Sequence, residues 1–167
     1  MEDILYLTEG IELGKTPKFM KHFMKEITSD KKTPIQFFIN SSGGAVADGL
    51  GMASMIMNSK REIQATVIGS CYSAATFLLL ASHKKYCYKY SEFMFHGAQC
   101  WMGWEKAQGV LDHKERFEET EKMIKKFYKS RLNPETFKKV MKAYKSGREW
   151  YFYGDEALKL GIVDKIL

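Results

Sequence analysis

Cysteine is scarce in this chain: Cys71, Cys87 and Cys100 are the only three among 167 residues. The odd number and the lack of any Cys-x-x-Cys pair exclude a disulfide framework and a cysteine zinc site. Free thiols in a reducing compartment are the expectation. Proline is as rare, with three residues, and no Pro/Gly-rich linker, repeat or low-complexity tract divides the chain. One domain over residues 1–167 is therefore expected. Long hydrophobic runs are missing too. The densest, Ala74 to Ala81, is far too short to span a bilayer. The start, Met1-Glu2-Asp3-Ile4-Leu5, has no basic stretch followed by an apolar one. No secretory signal and no membrane contact are expected, and the expected location is cytoplasmic.

Apolar residues make up 45% of the chain and the net charge is +6. The positive excess falls between Lys114 and Arg148, where Phe117, Ile124, Phe127, Tyr128 and Phe137 are interleaved with lysines. A basic face with aromatics is one signature of nucleic-acid binding. Here the aromatics keep helical spacing and no nucleic-acid-binding motif accompanies them. A solvated lysine-rich face with the aromatics turned inward is the better reading, and no nucleic-acid partner is expected.

The periodicity predicts alternating strands and helices. Strands are expected at Ile4–Leu7, Ile35–Ile39, Ile63–Ile68, Tyr86–Tyr88, Glu92–Phe95 and Ile162–Val163. Helices are expected at Thr16–Ile27, Ala45–Asn58, Ser73–Ala81, Trp104–Leu132, from Asn133-Pro134 onward, and at Asp155–Leu160. This order implies βαβ units, a mainly parallel sheet and an α/β fold.

Three features carry chemistry. Ser73 sits where a β-branched strand turns through small residues into an apolar helix. A nucleophilic hydroxyl there would lie beside free backbone N–H groups able to receive an oxyanion. On that segment alone an ordinary N-cap is the simpler reading. The second feature, Asn40-Ser41-Ser42-Gly43-Gly44, places two glycines at the end of a buried strand, where the backbone can approach a ligand closely. No Gly-Lys-Ser/Thr and no third glycine at dinucleotide spacing follows, so phosphate binding is poorly supported. The third is His96, at the carboxyl end of a strand, the edge where open α/β sheets bind ligands. His22, His83 and His113 fall in helices or a lysine-rich turn, which leaves His96 the best general base. Glu149, Asp155, Asp48 and Asp112 are all open as its acidic partner, because such triads occur in several chain orders. No metal and no organic cofactor is indicated.

Together Phe38-Ile39-Asn40-Ser41-Ser42-Gly43-Gly44, the segment Gly69 to Leu80, Met94-Phe95-His96 and the ending Asp155 to Leu167 resemble, in order and approximate spacing, the proteolytic subunit of the caseinolytic (Clp) protease family. The resemblance covers nearly the whole chain. It implies a Clp/crotonase-type βαβ superhelix with a long handle helix from about Trp104. It implies heptameric rings stacked as a tetradecamer, and a serine endopeptidase that cleaves peptides without ATP and unfolded proteins when an AAA+ unfoldase supplies them. Ser73 is then the nucleophile, His96 the base, and Gly44 and Ala74 the oxyanion-hole amides. Glu149 stands where the family has the aspartate of an Arg-Asp pair, and its neighbour Arg148 is expected at an oligomer contact.

The departures from the family pattern are specific. Tyr72 precedes the serine where a small residue is usual, and would alter the substrate pocket. Gly97-Ala98 replaces Gln-Pro after the histidine, where substrate and the ring contact would be shaped. The N-terminal segment that forms axial loops in the family is short, which puts the unfoldase contact in question. These departures define the other expectation, a catalytically silent ring subunit. A third, an acyl-CoA enzyme of the crotonase superfamily, fits less well with a serine and a histidine at peptidase positions.

Overall fold

In the computed structural model, residues 3–12, 17–99 and 107–167 are described. The chain runs β1 (Asp3–Leu7), α1 (Pro17–Ile27), β2 (Ile35–Ser41), α2 (Val46–Met57), β3 (Ile63–Tyr72), α3 (Ala75–Ala81) and β4 (Lys84–Cys87). It continues through β5 (Glu92–Phe95), α4 (Ala107–Arg131), α5 (Pro134–Ser146), β6 (Trp150–Tyr153), α6 (Gly154–Lys159) and β7 (Lys165–Ile166). The strands form one sheet in the order β1-β2-β3-β4-β7, parallel throughout, with β5 parallel to β3 and β6 antiparallel to β5. This is the α/β architecture expected of a Clp/crotonase fold, with a long helix in α4.

β3 is where the sheet forks. Gln64 to Val67 pair with β4, whereas Ser70 to Tyr72 pair with β5. The buried Ser91 braces the fork: its hydroxyl donates to the Val67 carbonyl at 2.6 Å and accepts the Tyr88 N–H at 3.1 Å, beside the direct bond from the Tyr88 N–H to the Val67 carbonyl at 3.3 Å. The consequence is that β5 leaves the sheet edge and ends beside the carboxyl end of β3.

One continuous core joins the sheet to its helices. Leu5, Leu7, Ile35, Phe37, Ile39, Ala65, Val67 and Cys71 are buried along β1, β2 and β3, with Phe23 of α1 and Met52, Ala53 and Ile56 of α2 packed on them. Every residue of α3 is buried, the hydrogen-bonded Thr76 included, in a segment otherwise wholly apolar. In α4 and α5, Ile124 and Tyr128 are buried, while Phe127 and Phe137 pack against the core. Phe127, Tyr128 and Phe137 of the basic stretch therefore face inward, whereas Phe117 is half-buried and borders a surface pocket. Arg61, fully buried, ties β1, α1 and β3 together through Glu26 at 3.1 Å, Asp3 at 2.5 Å and the Thr33 carbonyl.

Several boundaries differ from expectation. β3 runs four residues beyond Ile68, because Asn40 Oδ1 accepts from the Ser70 N–H and hydroxyl at 2.9 and 3.0 Å and keeps Gly69-Ser70 extended. The strand β6 had no counterpart in the sequence reading. The last strand is Lys165–Ile166, not Ile162–Val163. Ile162 instead donates its N–H to the Ala157 carbonyl at 2.9 Å, and both residues bury their side chains in the turn after α6. Asn133 caps α5 by accepting the Thr136 N–H, with Pro134 behind it, as expected. Trp104, Thr16 and Cys100 lie outside the described residues. Cys71 and Cys87 are free and buried, and burial pushes the Cys87 thiol up to about 11. No helix among the described residues is long and apolar enough to cross a membrane.

Candidate active site

Ser73 is not the cap of α3. The N-cap is Ala74, without a side-chain bond, and Ser73 occupies the turn before it at φ +51, the one positive-φ residue other than glycine among those described. A serine in this left-handed region is strained and persists only where its surroundings hold it. The holding groups are visible. Ser73 N–H donates to the Met94 carbonyl at 2.9 Å, and the Ser73 carbonyl accepts from the Thr76 N–H at 3.0 Å and the Thr76 hydroxyl at 2.6 Å. Thr76 Oγ1 lies 2.9 Å from the Tyr128 hydroxyl of α4; since its own proton goes to Ser73, Tyr128 is the donor. The sequence pointed to neither Thr76 nor Tyr128 as a support of this turn.

β5 ends at Phe95, which places His96 across from this turn. Its Nε2 lies 2.7 Å from Ser73 Oγ. With the proton on Nδ1, the serine hydroxyl donates to Nε2, the arrangement a base needs before it takes that proton. His83 has a different role: its Nδ1 accepts the Ile63 N–H at 3.1 Å and starts β3. His22 sits 3.9 Å from Glu26 on α1.

The Ser42–Gly44 turn packs beneath the serine. Gly43 (φ +85) approaches so closely that a Cβ there would lie 2.9 Å from both Ser73 Cβ and the Ala74 nitrogen. Ser41 braces the turn, its hydroxyl donating to the Glu9 carbonyl at 2.6 Å and accepting the Gly43 N–H at 3.2 Å. Ile11 clasps it from the other side, with its N–H on the Gly43 carbonyl and its carbonyl on the Ala45 N–H. Among the described residues, no acceptor is found for the N–H of Gly44 or of Ala74. Two unclaimed donors beside a paired serine and histidine can receive a developing oxyanion.

A cleft of about 330 Å³ opens here, lined by Ser42, Gly44, Val46, Ser73, Met94, His96, Ala98 and Gln99. Tyr72 does not line it. Its hydroxyl donates to Glu92 and its ring meets Tyr151 edge-on at 5.7 Å. The hydrogen bond to Glu92 pushes the Tyr72 phenol up to about 12. Gly97 has a steric reason: a Cβ would lie 2.7 Å from the Tyr144 carbonyl of α5.

Of the four acids, Glu149 is the one that directly precedes β6, whose first residue Trp150 pairs with Phe95, so that the register extended by one step would bring it opposite His96. Its carboxylate accepts from the Tyr151 hydroxyl at 2.8 Å, and among the described residues no hydrogen bond joins it to His96. Asp48 lies in the first turn of α2, Asp112 on α4 and Asp155 at the start of α6. Arg148 and Glu149 are both exposed and border a groove of about 510 Å³ with Lys142, Trp150 and Glu156.

The profile of the Clp protease family, described simply as Clp protease, matches residues 1–167. The chain is 27% identical over 173 residues to the ATP-dependent Clp protease proteolytic subunit 1 of Prochlorococcus marinus (strain MIT 9312), covering 99% of this chain and 84% of the relative. Against the ATP-dependent Clp protease proteolytic subunit of Carsonella ruddii (strain PV) the identity is 28% over 169 residues, again with 99% and 84% covered. The ATP-dependent Clp protease proteolytic subunit 3 of Synechococcus sp. (strain CC9605) is 24% identical over 169 residues, with 100% and 83% covered.

Proposed function

This chain belongs to the Clp protease family, and we propose that within it the chain is an active serine-type endopeptidase core subunit. The observation that carries this reading is the 2.7 Å approach of His96 Nε2 to an Oγ held at a strained elbow. In the proposed reaction His96 takes the Ser73 proton as Oγ attacks a peptide carbonyl. The amides of Gly44 and Ala74 receive the oxyanion, His96 returns the proton to the leaving amine, and water hydrolyses the acyl-enzyme. Glu149 is the proposed third member, accepting from His96 Nδ1 when its side chain turns toward the ring. One oxyanion donor is worth roughly 3–4 kcal/mol in such reactions, so the Gly43-Gly44 turn matters as much as the serine.

Family membership supports self-assembly into heptameric rings stacked as a tetradecamer, with Arg148 at a subunit contact and α4 as the handle. Leu111 and Met123, exposed on α4, supply apolar surface suited to that role. An AAA+ unfoldase that feeds unfolded protein is supported by the names of the relatives, which are ATP-dependent subunits.

The bond from Tyr151 to Glu149 favours a second reading, a catalytically silent or regulatory ring subunit. Hydrolysis of short hydrophobic fluorogenic peptides separates the two. Turnover by the wild type that Ser73→Ala abolishes supports the peptidase; turnover unaffected by that substitution, or none, supports the silent subunit.

A further inference from the structure

β3, β5 and β6 set their side chains in rows on one sheet face, buried at Met94 and open to solvent at Tyr151 and Tyr153. Glu92 faces Tyr153 and Met94 faces Tyr151, while Ser70 stands beside Glu92 and Tyr72 beside Met94. Continued one step past its last pair, Phe95 and Trp150, the same register would set His96 opposite Glu149. Directly opposed residues of an antiparallel pair have Cβ atoms about 5 Å apart, close enough for a glutamate to reach an imidazole. The Glu149 carboxylate is turned back instead along its own chain, to the Tyr151 hydroxyl at 2.8 Å. Tyr151 is itself fixed, its ring lying edge-on (89°) against Tyr72, whose hydroxyl is tied to Glu92.

We propose that Tyr151 is a positioning residue that holds Glu149 off His96, so that the Ser73–His96 pair acquires its acid only when the Tyr151–Glu149 hydrogen bond is exchanged. The proposal rests on the serine-peptidase reading. Both partners are exposed, so water can replace either one, and the exchange requires only rotation of the Glu149 side chain. Glu149 then accepts from His96 Nδ1, fixes the tautomer that leaves Nε2 free, and stabilises the imidazolium formed when the serine proton moves. The same bond raises the Tyr151 phenol above its ordinary range, which gives the latch a spectroscopic handle.

The test measures the rate of fluorophosphonate labelling at Ser73 in the full chain, for wild type, Tyr151→Phe, Glu149→Gln and the double variant. Tyr151→Phe is expected to raise the rate roughly fivefold, the gain from releasing one hydrogen bond of ordinary net strength. Tyr151→Phe is expected to change nothing in the Glu149→Gln background, and Tyr153→Phe to leave the wild-type rate unchanged. In an absorbance titration, Glu149→Gln should lower the midpoint of one tyrosine that Tyr151→Phe removes. Labelling of Ser73 that is no faster in Tyr151→Phe overturns the proposal, as does an equal gain with Glu149 absent. Failure of Ser73 to label in every variant overturns the peptidase reading and the proposal with it.

Discussion

Gly43 occupies the space directly beneath Ser73: a Cβ at Gly43 would lie 2.5 Å from the Tyr72 carbonyl oxygen and 2.9 Å from Ser73 Cβ. The Gly43-Gly44 turn and the serine elbow are thus one packed unit, built from backbone on both sides. Gly43→Ala is expected to misplace the elbow and also to strain a backbone at φ +85. Peptidase kcat should fall by roughly 10²-fold, the scale for a displacement near 1 Å at a reacting group. The stability loss should be about 1–3 kcal/mol. Peptide kinetics and denaturant unfolding measure the two effects separately.

Thr76 supports the same elbow from below. Thr76→Val removes the hydroxyl that donates to the Ser73 carbonyl and leaves the buried Tyr128 hydroxyl without its acceptor. An orphaned buried polar group costs about 1–3 kcal/mol. Unfolding should show that loss, and kcat should fall while KM is retained, since Thr76 is absent from the cleft lining.

Arg61 is the strongest single tie outside the site. Arg61→Met leaves the Asp3 and Glu26 carboxylates in place without their buried cation. A loss of up to about 3 kcal/mol in unfolding free energy is expected, the low end of the scale for breaking a buried pair, because the Lys31 ammonium still faces both carboxylates.

Asp3 predicts the acid response. The Lys31 ammonium at 2.5 Å, then the Thr33 hydroxyl and the Arg61 guanidinium, hold its carboxyl well below the usual carboxylate range. A depressed folded-state value contributes stability that is fully present above the unfolded value, near about 4, and is lost as pH falls below it. The unfolding free energy of the wild type should therefore drop more steeply between roughly pH 4 and pH 2 than that of Asp3→Asn.

The sequence reading found Ser73 and His96 because both stand at strand ends, where composition changes sharply and a sheet's ligand edge lies. The lengths of β3 and β7 escaped it for local reasons. Gly69-Ser70 looks like a turn until Asn40 from another strand satisfies it, and Ile162-Val163 looks like a strand although it only closes α6. The four aromatics of β6 hid a period of two, because Trp150 and Phe152 face the core while Tyr151 and Tyr153 face solvent with no polar residue between them. The orientation of Glu149 was equally illegible. It depends on a tyrosine two residues away that is braced by a strand some eighty residues earlier.

Mass-spectrometric mapping of the adduct formed when the full chain meets a fluorophosphonate tests the central claim most directly. The Ser73–His96 geometry predicts one phosphonylated residue, Ser73, with labelling lost in Ser73→Ala and cut sharply in His96→Ala. Absence of an adduct at Ser73, or labelling there that is indifferent to His96, would contradict the account.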